Sequence, residues 1–383
     1  MPDVQAFLSH ESACDVLRLL SAGRRGVEGL VRWPESARPL PRDGSCVSSQ
    51  RDFRGGRIEE RLVELGASRR PVELIVPRQE GRSSGRAARF HVWSGILPAR
   101  SLVQVCPGLL VSGPELVVIQ LCSAQGKLDA LLDAHVSAVH AEADLLADLG
   151  LDDSPVIDHP LEWERIRRLV AATMVACEFM GTYRLGGAAA PVTYRVRPLM
   201  SADSLVCAIA EVGEFQGTRR ARRVCGLALE GSASPMETSL ALMLTLPIDF
   251  GGFGLGHPQL NHALDVSEFR GTLSDRDVVT PDFLWQGEGM GSGVALEYDS
   301  DEFHAATGGA RLGQDAVRAN ILASLGYCVL RATPETVRTL SGMTLLASQV
   351  AHALGVELAE TTPLQDLRRR KLYMQLMPVR ERS

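Results

Sequence analysis

Lysine is nearly absent from this sequence, although the chain is rich in arginine. Of the 40 lysine and arginine residues, only Lys127 and Lys371 are lysines, and none lies between positions 231 and 345. Chemistry that needs a lysine ammonium group, as a base with a lowered pKa or as a compact point charge, is therefore excluded from that segment. Any cationic contribution there must come from arginine or histidine.

Paired cysteines and long apolar runs are also missing. The eight cysteines are scattered singly, without a C-x-x-C pair or a short Cys/His cluster, which argues against a zinc site and predicts buried free thiols. No apolar run approaches the length that a bilayer requires, and the first residues lack the pattern of a secretory signal. We expect a cytoplasmic protein with no membrane partner.

The composition that is present is typical of a soluble globular protein large enough for two or three domains. The 383 residues are 45% hydrophobic and 22% charged, with a formal net charge of −6. Residues 1–100 nevertheless carry 17 arginines against 12 acidic residues, so the remainder is strongly acidic. We expect any affinity for nucleic acid to depend on the first part of the chain.

The segment 281–299 concentrates acidic residues in a pattern typical of a β-hairpin. Two apolar runs, PDFLW and VALEY, flank a glycine-rich centre. A symmetric turn places Trp285 opposite Val294 and Asp282 opposite Glu297, and the period of two adds Asp299 to the same side. We call Asp282, Glu297 and Asp299 the acidic face. Three converging carboxylates repel one another, and a hard divalent cation with oxygen ligands would remove that cost.

Helices and strands are predicted on both sides of the hairpin. Ser234, Pro235 and Glu237 form a capping box at the start of a helix, and Glu237 is explained equally well by that cap and by a role in a site. After the hairpin we expect a helix over 311–325, a strand over 327–331 and a long helix beginning at Thr333. The last residues, from Asp366 onward, are basic and predict a frayed tail.

The order helix, strand, strand, helix, strand, helix in 231–340 resembles the PD-(D/E)XK nuclease superfamily, and more specifically its very-short-patch-repair-endonuclease-like domains. The motifs that carry the resemblance are SPMET at 234–238, PDFLW at 281–285, LEYDSDEFH at 296–304, Asp315 with Arg318, and LGYCVLRAT at 325–333.

The resemblance implies a metal-dependent endonuclease that hydrolyses DNA phosphodiester bonds, in DNA repair or phage defence. Asp282, Glu297 and the carbonyl of Tyr298 match the positions that hold Mg²⁺ or Mn²⁺, and Glu237, Asp299 and His304 are candidate assisting residues. Glu297 is followed two positions later by Asp299 where the superfamily signature has lysine. Arg318, Arg331 or His304 would have to supply the cationic or acidic role, and an arginine cannot act as a base.

The first 125 residues resemble the carboxy-terminal domain of type IV abortive-infection antitoxins (AbiEi-like proteins). The resemblance rests on VELIVP at 72–77, a basic loop, RFHVW at 89–93 and PGLLVSGPELVVIQL at 107–121. It implies DNA as a partner and a toxin or another defence protein as a second partner. The residues do not indicate an oligomeric state.

The predicted fold is α/β, of the α+β type, with four segments. They are a smaller α+β domain over 1–125, a helical connector over 126–230, a nuclease-like domain with a restriction-endonuclease-like mixed sheet flanked by helices over 231–345, and a C-terminal helix with a basic tail over 346–383.

A group of arginines on a helix predicted over 202–229 offers a second candidate interface. Arg219, Arg220, Arg222 and Arg223 could contact phosphates together with Arg318 and Arg331, or could form only a solvated helix surface. Three functions therefore remain open: a nuclease, an antitoxin-type DNA-binding regulator whose nuclease fold does not cleave, and a protein-interaction module.

Overall fold

A computed structural model gives the fold of most of the chain. It describes residues 5–22, 30–42, 45–55, 58–67, 70–77, 85–123, 158–186, 191–215, 217–271, 277–287, 293–299 and 310–377, with only the backbone of 310–315. In these residues the chain is a mixed α/β protein, as predicted. It divides into unit 1, Met1–Gln125 with Arg168–Ala228, and unit 2, Gly126–Arg167 with Leu229–Ser383. The predicted connector, 126–230, is shared between the two units.

Unit 1 contains a six-stranded mixed sheet with the order β2-β7-β8-β1-β4-β5. Its central strand β1 pairs parallel with β8 and antiparallel with β4. We did not predict β1, whereas the motifs VELIVP at 72–77 and RFHVW at 89–93 lie on the strands β4 and β5. The strands of unit 1 are β1 (Ala6–Leu8), β2 (Arg32–Trp33), β3 (Arg38–Pro39), β4 (Val72–Val76), β5 (Ala88–Val92), β6 (Ile96–Leu97), β7 (Leu102–Cys106), β8 (Leu109–Ser112), β9 (Tyr183–Arg184) and β10 (Thr193–Tyr194).

The helices of unit 1 differ from the prediction in two places. Residues 22–55 are rich in Pro, Arg, Ser and Gly, which predicts mostly loop, but their described part contains two short strands and a short helix. The single helix predicted over 202–229 is two helices. The break lies at Gly213 and Gly217, which both have positive φ angles that glycine adopts without strain. These helices are α1 (His10–Ala22), α2 (Gln50–Gly55), α3 (Ile58–Glu64), α4 (Pro114–Ser123), α5 (Pro160–Met180, shared with unit 2), α6 (Ala202–Val212) and α7 (Thr218–Leu227).

Unit 2 contains a four-stranded sheet with the order β11-β14-β15-β16. The β14–β15 pair is antiparallel and the β15–β16 pair is parallel, so the sheet is mixed. Leu284 and Ala295 of this sheet pack with Ile321 and Leu322 of the helix that follows the hairpin. The strands are β11 (Gln259–Leu260), β12 (Leu264–Asp265), β13 (Val278–Val279), β14 (Phe283–Gln286), β15 (Gly293–Tyr298) and β16 (Tyr327–Ala332).

The helices of unit 2 follow the predicted order around the hairpin. The long helix predicted after Thr333 is divided in two, and the tail predicted to be frayed is largely an ordered helix capped by Thr362. The remaining six residues, 378–383, lie outside the described part of the chain. These helices are α8 (Pro235–Thr245), α9 (Ala310–Ser324), α10 (Pro334–Val337), α11 (Leu340–Ala353) and α12 (Pro363–Leu376).

Basic residues of α12 contact other residues of unit 2. Arg368 lies 2.8 Å from the buried carboxylate of Asp158, and Lys371 lies 3.6 Å from the same group. The Arg369 guanidinium lies 4.4 Å from the ring centroid of Phe253. The basic tail was interpreted wrongly as a frayed segment because its charge pattern does not reveal these internal partners.

Two expectations about the whole chain can be compared with the structure. All eight cysteines are thiols, but only four are buried, and Cys207 and Cys328 are exposed. The expectation that all the thiols are buried is therefore wrong. Among the described residues, no helix is long and apolar enough to cross a membrane.

Candidate functional site

The hairpin of β14 and β15 has the register that the sequence predicted. Trp285 pairs with Val294 and Phe283 pairs with Leu296, so continuing the ladder by one residue places Asp282 opposite Glu297. The backbone N–H of Tyr298 donates a hydrogen bond of 2.7 Å to Oδ2 of Asp282. This contact holds the Asp282 carboxylate against Tyr298 at the end of β15. Tyr298 is also the residue whose carbonyl matches a metal ligand in the resemblance.

Glu237 lies at the start of α8 and is buried. The backbone N–H of Glu237 donates to the Ser234 hydroxyl, as the predicted cap requires. Oε2 of Glu237 accepts hydrogen bonds from the N–H of Ala233 at 2.8 Å and from Nδ2 of Asn261 at 2.7 Å. The carboxylate therefore accepts its backbone hydrogen bond from Ala233, the residue before the N-cap Ser234. Through Asn261 it also belongs to a wider polar cluster.

Asn261, which was not among the predicted site residues, joins Glu237 to the acidic face. Besides its side-chain bond to Glu237, its backbone N–H donates to the carbonyl of Asp282 at 3.0 Å. Its φ angle of 49° lies in the left-handed region that asparagine tolerates better than most residues. An Asn-His pair after an apolar residue predicts a turn, but nothing in the sequence indicates that the turn contacts a site.

Burial, together with the charge of neighbouring carboxylates, raises the pKa values of Glu237, Asp282 and Glu297. Burial, together with the Asp282 charge, raises the pKa of Glu297 to about 8 and the pKa of Glu237 to about 7. The pKa of Asp282 itself is also raised, chiefly by burial, although the Tyr298 N–H and Arg318 oppose the shift. Carboxyls shifted in this direction mark a site where a cation could replace protons.

Two arginines predicted to contact DNA are paired with carboxylates of the acidic face. Nη2 of Arg318 lies 2.8 Å from Oε2 of Glu297, and Nη1 of Arg331 lies 3.3 Å from Oδ2 of Asp299. A surface pocket between β15, α9 and β16 is lined by all four of these side chains. The arginines therefore balance part of the acidic charge in this structure.

Two residues of the sequence-predicted set cannot be placed. His304 lies outside the described residues, and Asp315 is described only by its backbone. The proposed assisting role of His304 and the contribution of Asp315 to the resemblance therefore stay predictions.

The arginine group of unit 1 lies on α7, where Arg219, Arg220, Arg222 and Arg223 are all exposed. Arg220 donates to the carbonyl oxygen of Cys122 at 2.9 Å, and Arg222 forms an ion pair with Glu214 at 2.8 Å. Ion pairing at such exposed positions is weak, so Arg222 remains able to exchange its partner for a phosphate. The group is a candidate nucleic-acid surface of unit 1.

The oxygen atoms of the acidic face suit a hard divalent ion. In the described part of the chain, no three His, Cys, Asp or Glu side chains are arranged to hold a metal. Mg²⁺ needs fewer protein ligands, because it is commonly bound by one or two carboxylates with water and substrate oxygens. Oε1 of Glu297 is buried, and no hydrogen-bond donor in the described residues reaches it. A cation bound by Asp282 and Glu297, with the Tyr298 carbonyl, would satisfy that oxygen.

Comparisons with known proteins add no relative to this picture. Searches against protein-family models, curated proteins and solved structures found no significant match. A function for the chain must therefore be inferred from its residues and their geometry.

Proposed function

We propose that unit 2 is a metal-dependent nuclease that hydrolyses DNA phosphodiester bonds at the acidic face. The observation that supports this most strongly is the Glu297 carboxylate. It is mostly buried beside Asp282, its pKa is raised to about 8, and its Oε1 atom has no donor in the described residues. A buried carboxylate that lacks a partner on one oxygen is costly to maintain, and a bound cation would remove that cost.

In this proposal Asp282 and Glu297 hold Mg²⁺ or Mn²⁺ with the carbonyl of Tyr298. When bound, the ion would lower the pKa of a water molecule and neutralise charge that develops on the phosphodiester. Asn261 and Tyr298 orient Glu237 and Asp282 through their hydrogen bonds. Asp299 and His304 are proposed to assist, Asp299 through its pairing with Arg331.

Electrostatics set a condition on this function. Residues 231–345 contain 14 acidic residues and six arginines. Their net negative charge repels DNA unless cations intervene. Bound metal ions would reduce this repulsion near the site. The exposed arginines of α7 in unit 1 are proposed to supply phosphate contacts.

Cleavage of supercoiled plasmid tests the proposal. We expect nicking of the DNA that requires Mg²⁺ or Mn²⁺ and falls by ~100-fold or more in Asp282→Asn, because the substitution removes a charged metal ligand. Glu268→Gln removes an exposed carboxylate of the same unit and serves as the matched control. Absence of cleavage with both metals, or full activity in Asp282→Asn, contradicts the proposal.

A second candidate is an antitoxin-type DNA-binding regulator in which the nuclease fold does not cleave. The exposed arginines of α7 favour it, since they require no chemistry at the acidic face. This function predicts saturable binding of duplex DNA without cleavage. The joint substitution of Arg219, Arg222 and Arg223 by Gln should flatten the slope of log K against log salt concentration by ~0.9 for each phosphate that the variant no longer neutralises. An unchanged salt slope in that variant counts against α7 as the interface.

A further inference from the structure

Arg318 connects three parts of unit 2 that meet at the acidic face. It lies on α9, and its Nη2 atom pairs with Oε2 of Glu297 on β15 at 2.8 Å. The same nitrogen donates to the carbonyl oxygen of Thr280, which precedes Asp282 in the chain. One guanidinium thus fixes the end of β15 relative to the segment that leads into β14.

The contact leaves the two oxygens of Glu297 in different environments. Oε2 is held by the guanidinium, whereas Oε1 is buried and no donor in the described residues reaches it. The Glu297 side chain is only 12% exposed, so bulk water cannot solvate the second oxygen freely. The oxygen that remains for a ligand is therefore determined by the position of Arg318.

Arg331 provides a comparison, because it lines the same pocket and stands beside Glu297 in the parallel register of β15 and β16. Its guanidinium nevertheless pairs with Asp299, at 3.3 Å, and is 43% exposed compared with 33% for Arg318. The nearness of an arginine on the adjacent strand does not by itself orient Glu297. Arg318 makes that contact from the helix.

We propose that Arg318 is a positioning residue that holds Glu297 so that Oε1 faces a bound divalent cation. This inference rests on the proposed metal site and adds a residue to it. Donors in the outer shell orient ligating carboxylates in this way, and their loss typically lowers metal affinity by about 10- to 100-fold. The role requires no proton transfer, for which a guanidinium is unsuited.

Titration of the full chain with Mn²⁺ by calorimetry tests the proposal in the wild type, Arg318→Gln, Arg318→Lys and the control Arg270→Gln. We expect Arg318→Gln to weaken Mn²⁺ binding by about 10- to 100-fold. Arg270→Gln should change it by less than about threefold, because that exposed side chain pairs with Asp277 and not with a residue of the acidic face. Arg318→Lys should recover part of the affinity, since lysine keeps the charge but lacks the planar fork.

A double-mutant cycle separates positioning from a general effect on folding. In a Glu297→Gln background, a further Arg318→Gln change should produce no additional loss of Mn²⁺ affinity, because the carboxylate that Arg318 orients is gone. If the Arg318→Gln variant does not fold, the same cycle is measured with Arg318→Lys, alone and combined with Glu297→Gln. Additive losses overturn the proposal.

The possible failures can be told apart. Wild-type binding that depends on Asp282 but is unchanged or tightened in Arg318→Gln overturns the positioning role and leaves the metal site standing. Tighter binding in that variant would mean that the guanidinium competes with the ion. Absence of Asp282-dependent binding in the wild type overturns the proposed metal site and this inference together.

Discussion

At the residue scale, the acidic face shows why carboxylates placed together are informative. Strand formation alone gives no reason to bury Glu297 beside Asp282, since acidic residues are disfavoured in strands. The pKa of Glu297 is raised to about 8 even though Arg318 lies against it, because burial and the Asp282 charge outweigh the guanidinium. Because the pKa of Glu297 is set by this balance, a cation bound beside it should lower that pKa strongly.

His10 provides a prediction that does not depend on the proposed function. It is buried in unit 1, its ring centroid lies 4.0 Å from that of His91, and its pKa is lowered from 6.5 to about 3 by burial and by His91. His10 of the unfolded chain therefore binds a proton as the pH falls below 6.5, whereas His10 of the folded chain is protonated only near pH 3. Folding should weaken as the pH falls through this window.

The expected loss attributable to His10 between pH 7.5 and pH 5 is about 2 kcal/mol, measured as the free energy of unfolding in urea. In His10→Asn this part of the pH dependence should disappear, and asparagine tolerates the positive φ angle at this position. His352→Gln, at an exposed position, is the control and should retain the wild-type dependence. Equal pH dependence in His10→Asn and the wild type would show that His10 is not the cause.

The residue contacts of the site were predictable from sequence only in part. Asp282 and Glu297 could be paired because the period of a strand and the symmetry of a hairpin determine which residues oppose each other. Asn261 and Arg318 could not be assigned, because their partners are distant in sequence and are brought close by packing of separate elements. Arg318 was predicted as a DNA contact and as a candidate for the cationic role at the site, but not as the partner of Glu297 that the structure shows. Its contact with DNA stays a prediction.

At the element scale, the hairpin and the helix caps carried strong local signals, whereas β1 carried none. Ser234, Thr333 and Thr362 all cap helices through their side chains. Strand β1 has three residues and is defined by pairing with β8, more than 100 positions later in the chain. Such a strand has too few residues to show a period, so only its distant partners identify it.

The glycine-rich turn after α8 is a second element with a testable requirement. Gly251 has a φ angle of 95°, and a side chain there would overlap the carbonyl oxygen of Arg368 in α12. Gly251→Ala should therefore lower the free energy of unfolding by at least ~1–2 kcal/mol, from the backbone conformation alone. Gly256→Ala adds a methyl group in open space and should change the free energy of unfolding by less than ~0.5 kcal/mol. Thermal unfolding of both variants measures the difference. Equal stability of the two variants contradicts this account of the turn.

Helix α12 supplies a third prediction, because its basic residues neutralise Asp158 in the interior of unit 2. The Asp158 side chain is fully buried and contacts both Arg368 and Lys371. Asp158→Asn should lower the free energy of unfolding by about 3–5 kcal/mol, since two basic groups then lose their buried counter-charge. Asp277→Asn breaks an exposed pair with Arg270 and should cost under ~1 kcal/mol. Similar midpoints for the two variants in urea would indicate that α12 does not depend on this network.

At the scale of the whole molecule, the two units differ in charge and in the kind of site they present. Unit 1 exposes arginines on α7, whereas unit 2 gathers carboxylates at the end of a mixed sheet. Composition showed only part of this asymmetry, the excess of arginine in residues 1–100, whereas the arginines of α7 lie beyond that range. The division of residues 126–230 between the units could not be read from the sequence, since it depends on which elements pack together.

The central claim is that the acidic face binds a divalent cation, and equilibrium binding of Mn²⁺ tests it most directly. Free Mn²⁺ can be followed by its paramagnetic resonance signal as it is added to the full chain. We predict saturable binding that is lost in Asp282→Asn, is weakened but still measurable in Glu297→Gln, whose amide oxygen can still bind the ion, and is retained in Glu268→Gln. Binding that is absent from the wild type, or that persists unchanged in the first two variants, would contradict the account.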